Sequence, residues 1–226
     1  DPRITNYDWG VGVLGGAVTF VAGYLAMVAV VLVPDGPADG ADPGDLLAEI
    51  GRYFYNAHNV TLDVEPIKEN VIILDAGTGV INGSALRPNE TLILNTRRGQ
   101  IPLVEGNVSG RIEAVNLDRL REPIQYAQDK PELLYYLVPV VVLLAAGAVV
   151  ASVTLADTGS LHEAVMPGLA LATGYTTTAV IGTFFVGSEF VDGTLSLTPD
   201  LIQTVVFALA YSLLCGLVGS YAVGVW

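Results

Sequence analysis

Trp9–Val33 reads WGVGVLGGAVTFVAGYLAMVAVVLV, with no Asp, Glu, Lys or Arg. A helix rises about 1.5 Å per residue and the hydrocarbon core of a bilayer is about 30 Å thick, so roughly 20 apolar residues suffice to cross it. Leu133–Ala156, Ala164–Phe185 and Leu201–Trp226 are likewise uncharged, and each clears that length. A soluble protein of this size has too little polar surface to enclose four such runs. The sequence therefore predicts a membrane α-helical protein with a four-helix transmembrane bundle.

Composition agrees. Hydrophobic residues make up 52% of the chain and charged residues 15%. Acidic residues outnumber basic ones by 23 to 10, giving a net charge of −13 that argues against nucleic acid as a partner. Lysine occurs only at Lys68 and Lys130, arginine is preferred, and aspartate exceeds glutamate. This acidic, lysine-poor balance matches proteins of salt-loving archaea, whose carboxylate surfaces stay hydrated and repel one another. The single cysteine, Cys215, lies in the fourth run, which rules out a disulfide framework. The chain begins at Asp1 and ends on Trp226, which reads as trimming at both ends.

Three regions follow: residues 1–33 with the first span, 34–132 as an acidic insert, and 133–226 with spans two to four. Ser160 and Glu163 form a capping box before the third span. Thr198–Pro199–Asp200 suggests a proline at the first helical position of the fourth. Tyr7, Trp9, Tyr135, Tyr136, Phe184, Phe185 and Trp226 cluster at span ends, where aromatic rings favour the headgroup layer. In the insert, Pro43 opens a helix with Leu46, Leu47, Ile50, Phe54 and Ala57 at helical spacing. The extended runs 61–64, 71–74, 91–94, 101–104 and 111–115 predict a small antiparallel sheet, making an α+β, mainly β domain.

The insert carries four N-glycosylation sequons, at Asn59, Asn82, Asn89 and Asn107, more than its asparagine and hydroxyl content gives by chance. They point to an extracellular insert bearing N-glycans, with both termini cytoplasmic in a multi-pass cell-membrane protein.

Residues 53–60 (YFYNAHNV), 131–151 (PELLYYLVPVVVLLAAGAVVA), 166–185 (MPGLALATGYTTTAVIGTFF) and 199–224 resemble uncharacterised haloarchaeal four-helix membrane proteins of similar length, some generically labelled transporters. The likeness lies in hydrophobic pattern. It implies the bundle and no activity, cofactor or functional residue.

Candidate chemistry is sparse. Val71–Gly79 (VIILDAGTG) resembles half of an aspartic-protease site at Asp75, but Ala76 stands where threonine is usual and no second half-site follows. A glycine-rich turn explains the same residues. His58 and His162 are the only histidines and fall on opposite membrane sides, so no catalytic set, metal site or cofactor site is expected. His58 reads as a packing residue near the bilayer surface. Thr176, Thr177 and Thr178 are either a narrow polar path or hydroxyls bonded to their own helix. The sharpest pattern is the small-residue ridge Ala208, Ser212, Gly216, Ser220 and Gly224, matched in the first span by Gly12, Gly15, Gly16, Thr19 and Gly23. Such ridges let helices approach closely, within the bundle or between subunits. The sequence thus reads as a non-enzymatic structural or accessory component of an oligomeric membrane assembly, a homo-oligomer or part of a larger complex. A pore or transporter subunit is the alternative.

Overall fold

The computed structural model describes residues 8–35, 43–66, 71–75, 91–95, 100–105, 113–116, 121–127, 130–154, 161–190 and 195–224. Four of its helices are long and apolar enough to cross a membrane: α1 (Trp9–Asp35), α3 (Glu132–Thr154), α4 (Leu161–Val186) and α5 (Leu201–Gly224). The chain is a polytopic membrane protein. Between α1 and α3 lie helix α2 (Pro43–Asn56), strands β1 (Leu62–Pro66), β2 (Val71–Asp75), β3 (Thr91–Asn95), β4 (Gln100–Glu105) and β5 (Glu113–Asn116), and a 3-10 turn at Pro123–Tyr126. Strands β6 (Ser188–Phe190) and β7 (Leu195–Pro199) join α4 to α5.

In the bundle, α1 touches α3 and α4, α5 touches the same two, and α1 and α5 stand at opposite corners. Glycines set the closest approaches. A Cβ on Gly174 would overlap the Val13 backbone, and one on Gly16 would overlap Leu171 O, so α1 and α4 cross backbone to backbone. Gly147 meets the Gly216 backbone and Gly219 meets Leu144 O, bringing α3 and α5 equally close. Lipid tails are as apolar as leucine, so such van der Waals contact and interhelical hydrogen bonds replace the hydrophobic drive. Ser220 Oγ supplies one, donating to Gly147 O at 3.2 Å. Bulky side chains turn outward: Leu14, Val18, Val149, Leu214 and Val218 are all exposed.

The strands depart from the expected single antiparallel sheet. In the sheet β2-β3-β4-β5, β2 and β3 pair in parallel, while β3–β4 and β4–β5 are antiparallel. β1 stands outside that sheet and pairs antiparallel with β7, giving the order β1-β7-β6. The region between α1 and α3 is thus a small helix-and-strand insert rather than a self-contained, mainly β domain. The proline reading also shifts by two residues. Pro199 closes β7, while Asp200 is the N-cap of α5, its carboxylate accepting from Gln203 N at 2.7 Å. α1 is capped the same way, by Asp8 accepting from Gly10 N and Val11 N. Ser160, Asn82, Asn89, Asn107 and residues 76–79 lie outside the described residues, as do the side chains of Asp75, His162 and Glu163.

Candidate functional site: an aromatic plug and a membrane-facing groove

Helix α2 enters the end of the bundle. Its apolar face, spaced at positions 46, 50, 54 and 57, buries Ile50, Phe54 and Ala57 completely. Taking Ile50 and Phe54 out of water contributes about 1.5–3 kcal/mol each. Phe54 packs edge-on against Phe20 of α1 with ring centroids 5.2 Å apart, and Phe20 meets Tyr175 of α4 at 5.4 Å. Beyond the Gly16–Gly174 crossing, α2 aromatics fill the space between α1 and α4. A Cβ on Gly23 would press on Phe54, and one on Gly182 on the Tyr55 hydroxyl.

The chain leaves α2 through a Schellman turn. Val60 N donates to Tyr55 O at 3.2 Å and Asn59 N to Asn56 O at 2.8 Å, with Asn59 at φ 61° in the position glycine usually takes. The turn places His58 at the centre of the plug, fully buried. Its Nε2 lies 2.6 Å from the Tyr175 hydroxyl and its Nδ1 2.8 Å from Phe54 O. A carbonyl only accepts, so Nδ1 carries the proton and Nε2 accepts from Tyr175. Burial pushes His58 down to about 4, so the ring is neutral at pH 7. Both nitrogens are satisfied, an arrangement that joins the turn after α2 to α4.

Asn59 and Thr61 extend the attachment to α5. Asn59 Nδ2 donates to the Tyr211 hydroxyl at 2.6 Å, and Thr61 N and Oγ1 both donate to Gln203 Oε1, at 3.0 and 3.1 Å. Val60 between them is buried. The Asn59 sequon thus also serves as a structural element, with its amide and its hydroxyl both bonded to α5. Asn56 Oδ1 accepts from Ile124 N at 3.2 Å, fixing the 3-10 turn against α2.

On the outer side of the plug a groove of about 480 Å³ runs between α1 and α4 beneath α2. Val21, Tyr24, Leu47, Ala48, Ile181 and Gly182 line it. Its hydroxyls are already engaged: Tyr24 donates to Leu47 O at 2.8 Å, Tyr55 to Ala179 O at 2.6 Å and Thr178 to Gly174 O at 2.9 Å.

The remaining candidates separate. Thr176, Thr177 and Thr178 point in three directions, as successive helical residues must at about 100° apart. Thr177 is exposed and donates to Thr173 O, Thr178 borders the groove, and Thr176 Oγ1 is enclosed with no hydrogen-bond partner among the described residues. They form no common path. Ala208, Ser212, Gly216 and Ser220 are buried inside the bundle, as are Gly12, Gly16, Thr19 and Gly23, with Gly15 against Val150. Within the single chain these residues pack helix against helix. The Gly224 side is outside the described residues. Among the described residues no group of three or more His, Cys, Asp or Glu stands close enough to hold a metal ion. The groove is the feature that sequence reading missed. Its only signal was an aromatic-rich amphipathic helix beside two glycine-bearing spans.

No curated protein and no solved structure matches the chain. Residues 103–226, which contain α3, α4 and α5, match the model of DUF7978, a family of unknown function. Because that match spans more than half of the chain, the protein belongs to this family.

Proposed function

We propose that the protein is a non-enzymatic structural or accessory component of a membrane assembly, in which the bundle is a fixed base and the insert is the part that meets other subunits. The insert is exterior, both termini are cytoplasmic, and Asn59, Asn82, Asn89 and Asn107 are its candidate glycan acceptors. The observation that supports this reading is the attachment of the insert to the bundle. β1 is zipped to β7, with Asp200 N donating to Thr61 O at 3.0 Å where the pairing ends. His58, Asn59 and Thr61 tie the preceding turn to α4 and α5. A segment that only connected two spans would need none of these bonds. With the small-residue ridges used inside the bundle, assembly contacts fall to the insert.

The test is the mass of the natively extracted particle. It should exceed that of one chain, and replacing residues 67–120 with a short flexible linker should reduce it to a single inserted bundle. A wild-type particle of one chain would overturn the proposal. So would an oligomer that survives the replacement intact.

A further inference from the structure

We infer that the groove between α1 and α4 is a binding site for one hydrocarbon chain of a membrane lipid. Depth, lining and shape each support this. Both walls belong to membrane-spanning segments, Val21 and Tyr24 on one side and Thr178 to Val186 on the other. The medium at its mouth is therefore the bilayer interior. The mouth residues Val21, Ile181 and Phe185 are exposed and apolar, as is Leu47 on the overlying helix.

The lining favours an apolar occupant. A site for a polar solute offers a few unengaged donors or acceptors. Here the hydroxyls of Tyr24, Tyr55 and Thr178 all donate to backbone carbonyls. Water gains nothing in such a space, because a retained water needs two to four polar partners. A hydrocarbon chain needs only contact.

The shape favours a chain over a protein helix. A helix with its side chains is about 10–12 Å across and packs along an open face. This groove is roofed by α2, which Tyr24 fastens at Leu47, and it ends against Tyr55 and Phe20. Its volume of about 480 Å³ lies within the roughly 300–1,000 Å³ of small-molecule sites.

The experiment uses the full-length protein in phospholipid vesicles doped with a phospholipid that carries a diazirine partway along one chain. After illumination, adducts are mapped by peptide mass spectrometry. Labelling should concentrate on Val21, Leu47, Ala48 and Ile181. It should fall about tenfold in Ala48→Phe and in Ile181→Trp, which fill the space, as expected when overpacking displaces an occupant. Leu214→Phe, on the lipid-facing side of α5, should leave groove labelling unchanged. Unfolding temperature tracks the fold of each variant, and two filling variants from different helices guard against one failing to insert. Adducts spread evenly over Leu14, Leu214, Val218 and the groove would overturn the inference, because that pattern is ordinary lipid contact. So would wild-type labelling in both filled variants, or groove peptides crosslinked to a second copy of the chain.

Discussion

At the level of single residues, the His58–Tyr175 pair shows how a polar group becomes stable inside an apolar plug. The unfolded ring titrates near 6.5, whereas the buried ring titrates near 4 because its charged form has lost water. Between these values the unfolded chain binds more protons than the native one, so stability falls as pH is lowered through that window. Above about 6.5 both states carry a neutral ring, and His58 contributes no pH dependence. The slope in the window should approach about 1 kcal/mol per pH unit. Unfolding temperatures in detergent at pH 7, 6, 5 and 4 should therefore drop more steeply for wild type than for His58→Gln, which keeps an amide donor but cannot titrate. Parallel curves for the two proteins would mean that the ring takes up its proton without leaving the plug.

At the level of elements, two glycines on one helix should respond in opposite ways. A Cβ at Gly219 would overlap Leu144 O, a backbone atom that cannot step aside, whereas one at Gly216 meets Leu171 Cδ2 at 3.4 Å, an ordinary contact. Gly219→Ala should then lose roughly 1–3 kcal/mol of stability in micelles, and Gly216→Ala should stay near wild type. Equal losses, or a change in particle mass without loss of stability, would return the ridge to a subunit interface. The same contrast marks what sequence can reveal. The four spans are legible because an uncharged run needs no partner to declare its solvent, and the α2 spacing at 46, 50, 54 and 57 declares a buried face. The ridges are legible as surfaces, yet spacing alone does not say what packs against them. The β1–β7 pairing joins residues far apart in the chain, and the strand runs at 62–66 and 195–199 carry no complementary signal. Asn59 illustrates the limit most directly: the same three residues satisfy a sequon and a Schellman turn with three bonds to α5. The groove is a gap left between helices, and no residue pattern encodes a gap.

At the level of the whole molecule, β1–β7 pairing fixes relations that charge counting leaves open. The short connections contain no Lys or Arg, so the positive-inside bias has nothing to act on. Pairing requires only that the insert and the α4–α5 hairpin share one side of the membrane. That is where four alternating spans put them. Two questions then separate cleanly. In a Cys215→Ala background, single cysteines at Gln125, which is exposed within the 3-10 turn, and at Gly187, exposed at the head of the hairpin, should react alike with a membrane-impermeant maleimide. Asp157→Cys should react oppositely to both. A difference between positions 125 and 187 would contradict the four-span fold itself, because β1 and β7 could not then meet. With the fold granted, intact cells should label positions 125 and 187, and position 157 should react only after permeabilisation. The reverse pattern would keep the bundle, the plug and the groove, but would place the insert and its four sequons in the cytoplasm, where the proposed exterior contacts could not form.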